Sequence, residues 1–392
     1  MNWLKKYKNK LGLLFILVLG VVITLVLYKQ VSFFYEPPRV EDFAPEKVIN
    51  ISEPFSSEIH FNNEVGSDYF SQLATKAIDS ASSTVEIAMY SMDDSLIKEA
   101  IYRAVNRGVK VNIVFSNKYV TSMEKFFEQK SDNLKISFSP FGSSGYMHHK
   151  FMIIDRGLES GKLFFGSSNF TYIQAQYDPS FIMETDRPEL VNVFGEEFDR
   201  LLLELDRVPV RGENYNSFAA LINYPEGFLE VWFLPSSGDN SLKNRLLNLI
   251  YKAENNVKAM IWHFTDKDTA VNLVQKAKDI PVKVIVDDFN FKIKDSIMPF
   301  MSKQKRYQGL TNLELIDDAK RNEAVRQHKG DDKFNSFLHH HLLITDDTVA
   351  FGTNNWSSSG FFSNNESVMV SNISSLVSAF NQTFELHYNL NK

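Results

Sequence analysis

The chain has no cysteine among its 392 residues, which excludes disulfide scaffolds, thiol nucleophiles, iron–sulfur clusters and Cys-ligated zinc. It also lacks a surplus of positive charge, since 42 Lys and Arg face 48 Asp and Glu for a formal charge of −6. That balance argues against a generic nucleic-acid coat. Any phosphate must be met by local basic clusters, because the field of the whole chain mildly repels it. A small-x-small cleavage site is missing after the one long apolar run, where KQVSFF stands instead. What remains is a globular composition, 44% hydrophobic and 23% charged. The length suggests two or three folding units, each able to bury its own core.

The apolar run, LGLLFILVLGVVITLVLY from Leu11 to Tyr28, spans roughly 27 Å as a helix, close to the thickness of a bilayer core. With no cleavage site behind it, an uncleaved transmembrane anchor is expected rather than a signal peptide. Lys5, Lys6, Lys8 and Lys10 precede it, so the positive-inside rule puts residues 1–10 in the cytoplasm and the body of the chain outside. Pro37, Pro38 and Pro45 make residues 29–54 a semi-extended linker.

Beyond the linker the chain repeats itself. EIHF at Glu58 and EVWF at Glu230 lie 172 positions apart, as do Gly66 and Gly238, and as do VEIAMYSMDD from Val85 and VKAMIWHFTD from Val257. Each of the longer pair runs into a helical pattern and then a β-branched strand, GVKVNIVFSN or IPVKVIVDDF. Near-continuous apolar strands alternating with helices predict a sheet covered by helices. The period is too long for a solenoid. Two α/β lobes, residues 55–210 and 211–392, are expected about a pseudo-two-fold axis.

Late in the first copy stands MHHKFMIIDRGLESGKLFFGSSN, in which His148, Lys150 and Asp155 fit HxKxxxxD, and Gly166, Ser167 and Asn169 fit GSxN. The second copy has LHHHLLITDDTVAFGTNN, with His339, His341, Asp346, Gly352, Thr353 and Asn355 in the same frame. Strand alternation puts positions i and i+2 on one face, so His and Lys can address one ligand. Ser or Thr and Asn add neutral donors from the neighbouring strand or turn.

The doubled motif resembles the phospholipase D superfamily, over residues from about 55 to the C-terminus. The resemblance implies two duplicated phospholipase D-like α/β lobes, with mixed sheets flanked by helices, and a phosphodiesterase that needs no metal or other cofactor. It implies His148 as nucleophile, giving a phosphohistidine, and His339 as acid and base. A neutral imidazole is a competent nucleophile near pH 7 and an imidazolium a competent acid. Lys150, Asn169 and Asn355 would hold the phosphoryl oxygens, with Ser167, Thr353 and His341 beside them. Asp155 and Asp346 would be mainly structural, and Glu366 fits the acidic residue that orients the second-motif histidine.

Two departures stand out. His341 occupies the place of the second lysine, so its charge is expected only below about pH 6.5, with turnover rising as pH falls below that value. Ser180 stands opposite Glu366, leaving Asp178 or Glu184 as substitutes in the first copy. His149 and His340 should face away from the site, and three adjacent strand histidines cannot share one zinc. The segment between Asp317 and Leu338 is about 12 residues longer than its counterpart. Its mixed charges read as a solvated loop, with a lid as the alternative. Phe361 and Phe362 could line an acyl or base pocket.

The expected partners are the bilayer and a phosphodiester substrate. A phospholipid is favoured, because an anchor holds the site beside a membrane. A membrane-tethered nuclease and a catalytically decayed phosphate or lipid binder are the alternatives. No obligate protein partner is evident.

Overall fold

The computed structural model of the chain describes residues 45–140, 145–205, 218–235 and 241–392. The apolar segment 11–28, and the anchor expected there, lie outside the described residues. Among the described residues no helix is long and apolar enough to cross a membrane.

The strands run in chain order as β1 (Lys47–Asn50), β2 (Glu58–Phe61), β3 (Thr84–Met89), β4 (Lys110–Ser116), β5 (Leu134–Ser139), β6 (Lys150–Ile154), β7 (Lys162–Gly166) and β8 (Phe181–Thr185). The second copy supplies β9 (Phe218–Tyr224), β10 (Gly227–Phe233), β11 (Val257–Ile261), β12 (Val282–Val286), β13 (Leu313–Asp317), β14 (His341–Thr345), β15 (Thr348–Gly352) and β16 (Ser367–Ser371). The first seven-stranded sheet has the order β2-β8-β7-β6-β3-β4-β5, and the second, nine-stranded sheet the order β1-β9-β10-β16-β15-β14-β11-β12-β13. Without the β1–β9 edge, the second repeats the first strand for strand.

Both sheets are mixed. β3, β4 and β5 pair in parallel, whereas β3–β6–β7–β8–β2 is antiparallel throughout. The parallel half needs crossover helices. These are Ser95–Asn106 in the first lobe and Lys267–Lys276 in the second, and each is started by an aspartate. Asp94 accepts from the backbone of Leu96 at 2.9 Å, and Asp266 from that of Thr269 at 2.8 Å. Such caps contribute about 1 kcal/mol each. Ile97, Ile101 and Val105 bury one face of the first crossover helix, at roughly 1.5–3 kcal/mol per side chain.

The outer helices form separate cores with their own sheets, while the inner faces of both sheets meet around the helices Pro188–Glu204 and Ser374–Asn391. Phe165 of β7 touches Phe351 of β15, with ring centroids 6.3 Å apart. These are equivalent positions of the two copies, and equivalent residues meet only where a pseudo-two-fold axis passes between them.

One edge departs from the sequence-based expectation. Residues 47–50, placed in the linker, form a strand parallel to β9. KVIN carries two β-branched residues ahead of the next proline, and the unpaired edge of β9 gives that short run its hydrogen bonds.

Candidate active site

Each motif histidine sits just before an inner strand, β6 or β14, and the backbone that presents it is held by the opposite lobe. His148 N–H donates to the Asn365 carbonyl at 2.8 Å, and His339 N–H to the Pro179 carbonyl at 2.8 Å. The two bonds are reciprocal across the pseudo-axis. They bring both rings to one cavity of about 580 Å³, also lined by Asn169, Asn355, Tyr90, Trp262 and Asp178. The motif glycines have a plain cause. A Cβ on Gly166 would collide with the carbonyl of Phe181, and one on Gly352 with that of Ser367.

The two histidines differ in what holds their Nδ1 atoms. His148 Nδ1 lies 2.7 Å from Glu366 Oε2, and Glu366 is fully buried. The same Oε2 accepts the Thr353 hydroxyl at 2.6 Å, and Oε1 accepts Asn364 Nδ2 at 2.9 Å. His339 Nδ1 meets only the Ser167 carbonyl, at 2.7 Å. A carbonyl has no proton to give, so His339 Nδ1 is the donor and, in the neutral ring, Nε2 is the basic nitrogen. Glu366, expected beside the second-motif histidine, is therefore found on the first. Its counterpart Ser180 turns its hydroxyl to the Asp178 carbonyl at 3.0 Å.

Lys150 is 2% exposed and donates to the His148 carbonyl at 2.8 Å. Burial lowers its pKa while Glu366 pulls it up, and burial raises that of Glu366 against the pull of Lys150 and Thr353. The pair sits behind the histidines, with His341, Ser167 and Thr353, and not on the cavity wall. Ser167 Oγ accepts the Phe181 N–H at 3.2 Å and Thr353 Oγ1 the Ser367 N–H at 3.0 Å, so both hydroxyls knit neighbouring strands. Asn169 and Asn355 do reach the cavity, each with a buried Oδ1 that has no protein partner.

Burial, with Lys150 adding to it, holds His148 and His339 well below the ordinary imidazole value. His341 is depressed in the same way by burial, His339, His148 and Lys150, and both its ring nitrogens are unpartnered. The expectation of a cationic His341 below pH 6.5 is thereby corrected. A fully buried ring with no acceptor beside it stays neutral there.

Asp155 and Asp346 lie away from the cavity, at left-handed turns with φ of 51° and 49°. Asp155 accepts the N–H groups of Ser82, Ser83 and Thr84 at 2.9, 2.7 and 3.0 Å. Asp346 accepts those of Glu254, Asn255 and Asn256 at 2.7, 2.9 and 3.0 Å. Each carboxylate ties the turn after the motif strand to the start of the strand beside it.

Other expectations are revised. The segment after Asp317 contains a helix, Ala319–Lys329, rather than a charged loop, because Arg321 and Asn322 are buried. Arg321 donates to the Tyr177 carbonyl at 2.8 Å, and Asn322 accepts the Ser336 N–H at 3.1 Å. Its far end delivers Phe337 to the cavity wall, where Asp178 accepts the Phe337 N–H at 2.9 Å and Asp287 the Leu338 N–H at 2.8 Å. Glu184 is remote from the cavity, bonded to Lys162 at 2.6 Å and near His60 and Glu58. Phe361 is core and Phe362 is exposed, and neither lines the cavity. His149 bonds Ser367 Oγ at 2.6 Å, and His340 stacks on Phe181.

Sequence reasoning passed over the aromatic walls. Tyr90 packs edge-on against His148, with centroids at 4.8 Å, and Trp262 lies over His339 at 5.2 Å. The signal was an aromatic residue at the same position of both repeats, at the end of VEIAMY and VKAMIW.

The family model described as cardiolipin synthase, PLD-like domain, matches residues 74–202 and 246–388. A mitochondrial cardiolipin hydrolase of Danio rerio is 27% identical over 176 residues, covering 44% of this chain and 72% of that protein. One of Xenopus tropicalis is 28% identical over 32% of this chain and 58% of its own length. A phospholipase D of Rickettsia felis is 30% identical over 37% of this chain and 66% of that one. The chain thus spans between about half and three quarters of the length of these relatives. Among solved structures, the phosphatidylserine synthase of Haemophilus influenzae superposes with a TM-score of 0.59 at 12% identity, covering 84% of this chain and 85% of the other. With two matched regions that together take in most of the described body, the chain belongs to the phospholipase D-like family.

Proposed function

We propose that the protein is a phosphodiesterase acting on phospholipids, with His148 as the nucleophile. The observation that carries this reading is the asymmetry at Nδ1. His148 has a buried carboxylate there, and His339 has a carbonyl. Attack by His148 Nε2 on phosphorus leaves a phosphorylated ring that is cationic, and a carboxylate on its Nδ1–H offsets that charge in a dry site. His339, carrying a proton on Nε2, gives it to the departing alcohol oxygen as the phosphorus–oxygen bond breaks. In the second half-reaction His339 Nε2 takes a proton from water, and the hydroxide displaces His148. The anionic diester raises the proton affinity of both rings on binding, which opposes the depression that burial imposes on them. Lys150 supplies positive charge from beneath, and the Asn355 amide, with the second N–H of an Asn169 amide whose first is held by Gln174 Oε1 at 2.9 Å, supplies donors at the cavity wall.

A lipid substrate is favoured over a nucleic acid by the aromatic cavity wall, by the net negative charge and by the apolar segment 11–28. In this reading that segment anchors the body to the outer face of a membrane. Two readouts test the proposal. Acid quenching after mixing with a phosphate-labelled diester in EDTA should trap label on His148, and vesicles should release headgroup under the same conditions. Label on His148 from single-stranded DNA but from no lipid would move the reading to a nuclease. If no diester labels His148, the catalytic assignment fails.

A further inference from the structure

Among the described residues, Lys118 is the one lysine or arginine that lines the cavity, and the catalytic scheme does not use it. Its ammonium donates to the Tyr90 hydroxyl at 3.0 Å. It stands 5.6, 5.5 and 5.3 Å from the ring centroids of Tyr90, Tyr119 and Tyr146. Tyr90 is the ring that packs against His148, and all three tyrosines line the cavity with Lys118. Among the described residues no carboxylate forms an ion pair with Lys118. The second lobe has no equivalent charge, because the matching position, Asn290, is buried and bonded to the backbone of Trp262 and Phe264.

Three tyrosines around a point within 6 Å make a receptor for a quaternary ammonium group. Here that position is taken by the protein's own ammonium, from an exposed Lys118 on the wall of the same cavity that must accept the headgroup of a diester. A choline-type headgroup would have to displace Lys118 or sit beside it, with like charges a few ångströms apart. Headgroups without a cation meet no such penalty, and their hydroxyls and anionic oxygens find a donor.

We propose that Lys118, lodged among Tyr90, Tyr119 and Tyr146, is the residue that selects the headgroup, excluding quaternary ammonium groups and admitting neutral or anionic ones. This selection rests on the phospholipid reading, and the test separates the two. In micelles of neutral detergent, the parent should show at least tenfold higher kcat/KM on phosphatidylglycerol than on phosphatidylcholine. Lys118→Gln empties the cage and should cut that ratio at least tenfold, mainly through KM. Lys118→Arg should keep the ratio. A Lys118→Gln ratio within twofold of the parent, or a parent that prefers choline, overturns the proposal.

Calorimetry with soluble glycerophosphoglycerol and glycerophosphocholine, in a His148→Asn background, reads selection without turnover. If no lipid is cleaved but the parent order of affinities is lost in Lys118→Gln, the selection stands and the lipid reading falls. If both proteins keep one order of affinities, Lys118 is not the selector, whatever the fate of the lipid reading.

Discussion

Glu366, whose pKa burial pushes up to about 8, can become a carboxylate when the His148 ring turns cationic, and replacing it by Gln removes that capacity without changing the side chain's size, so the surrounding bonds set the cost. Oε2 accepts from both His148 Nδ1 and Thr353 Oγ1, and Oε1 accepts from Asn364 Nδ2. Asn364 is itself fixed, because its Oδ1 accepts the Tyr146 N–H at 3.0 Å. A glutamine amide aimed at Asn364 sets two donors against each other, and one aimed at His148 does so there, so one buried donor is orphaned in either orientation. The lost charge-assisted bond is worth about 1.5–3 kcal/mol, which at 1.36 kcal/mol per decade is about 10- to 150-fold in rate. Because the carboxylate matters most when the ring becomes cationic, the loss should fall on kcat rather than KM. Pre-steady-state quench flow would show slower phosphorylation of His148 in Glu366→Gln, while Ser180→Ala at the pseudo-equivalent position changes either rate less than twofold. A Glu366→Gln enzyme that phosphorylates within twofold of the parent would falsify the assignment of His148 as the carboxylate-assisted nucleophile.

Other substitutions test the electrostatics and the turns. Because burial keeps His341 neutral, the pH–kcat/KM profiles of the parent and His341→Gln should run parallel from pH 7.5 to 5.5. A tenfold rise below pH 6.5 in the parent alone would refute that neutrality. Asp178 is fully buried with its pKa raised to about 8. Between its unfolded value near 4 and its folded value the native state binds the extra proton, so Asp178 makes stability fall as pH rises through that window. Asp178→Asn should therefore gain about 1.5 kcal/mol over the parent between pH 6.5 and 8 in urea unfolding, and an unchanged difference would contradict the raised value. Asp155→Ala strands three backbone donors at a left-handed turn. It should cost about 3 kcal/mol, read as a lower urea midpoint at an unchanged slope, and a loss below 1 kcal/mol would show that water replaces the carboxylate.

The duplication was legible because apolar strands must recur wherever a sheet recurs. The match of VEIAMYSMDD with VKAMIWHFTD preserves buried positions and the helix-capping aspartates Asp94 and Asp266. The motif histidines were legible for the same reason, since their spacing is fixed by strand geometry. Which carboxylate serves which histidine was not. Glu366 follows the second motif along the chain but faces the first in space, a consequence of lobes that exchange backbone bonds across the axis. Charge pattern misled in the segment after Asp317, where alternating signs look solvated. Arg321 is buried there against a carbonyl from the other copy, a partner 144 positions away that no local window contains.

Pseudo-symmetry of the backbone with asymmetry of the chemistry has a physical basis. The reciprocal bonds from His148 to Asn365 and from His339 to Pro179 are main-chain bonds. They are fixed by strand register and by the shared core around Phe165 and Phe351, and neither constrains the next side chain. At the lysine position each lobe need only satisfy what it buries. Lys150 has the His148 carbonyl and the pull of Glu366 from the second copy, whereas the first copy has Ser180 at the position equivalent to Glu366 and so offers no carboxyl in return. A buried ammonium at position 341 would therefore lack a counter-charge and cost several kcal/mol, and a neutral imidazole avoids it. The two departures, His341 in place of a lysine and Ser180 in place of an acid, thus form a single electrostatic difference: a buried cation and the carboxyl that would offset its charge are absent together. Restoring one member alone should destabilise the protein, and restoring both, as His341→Lys with Ser180→Glu, should recover much of that loss. Strict additivity in a double-mutant cycle would break the link between them.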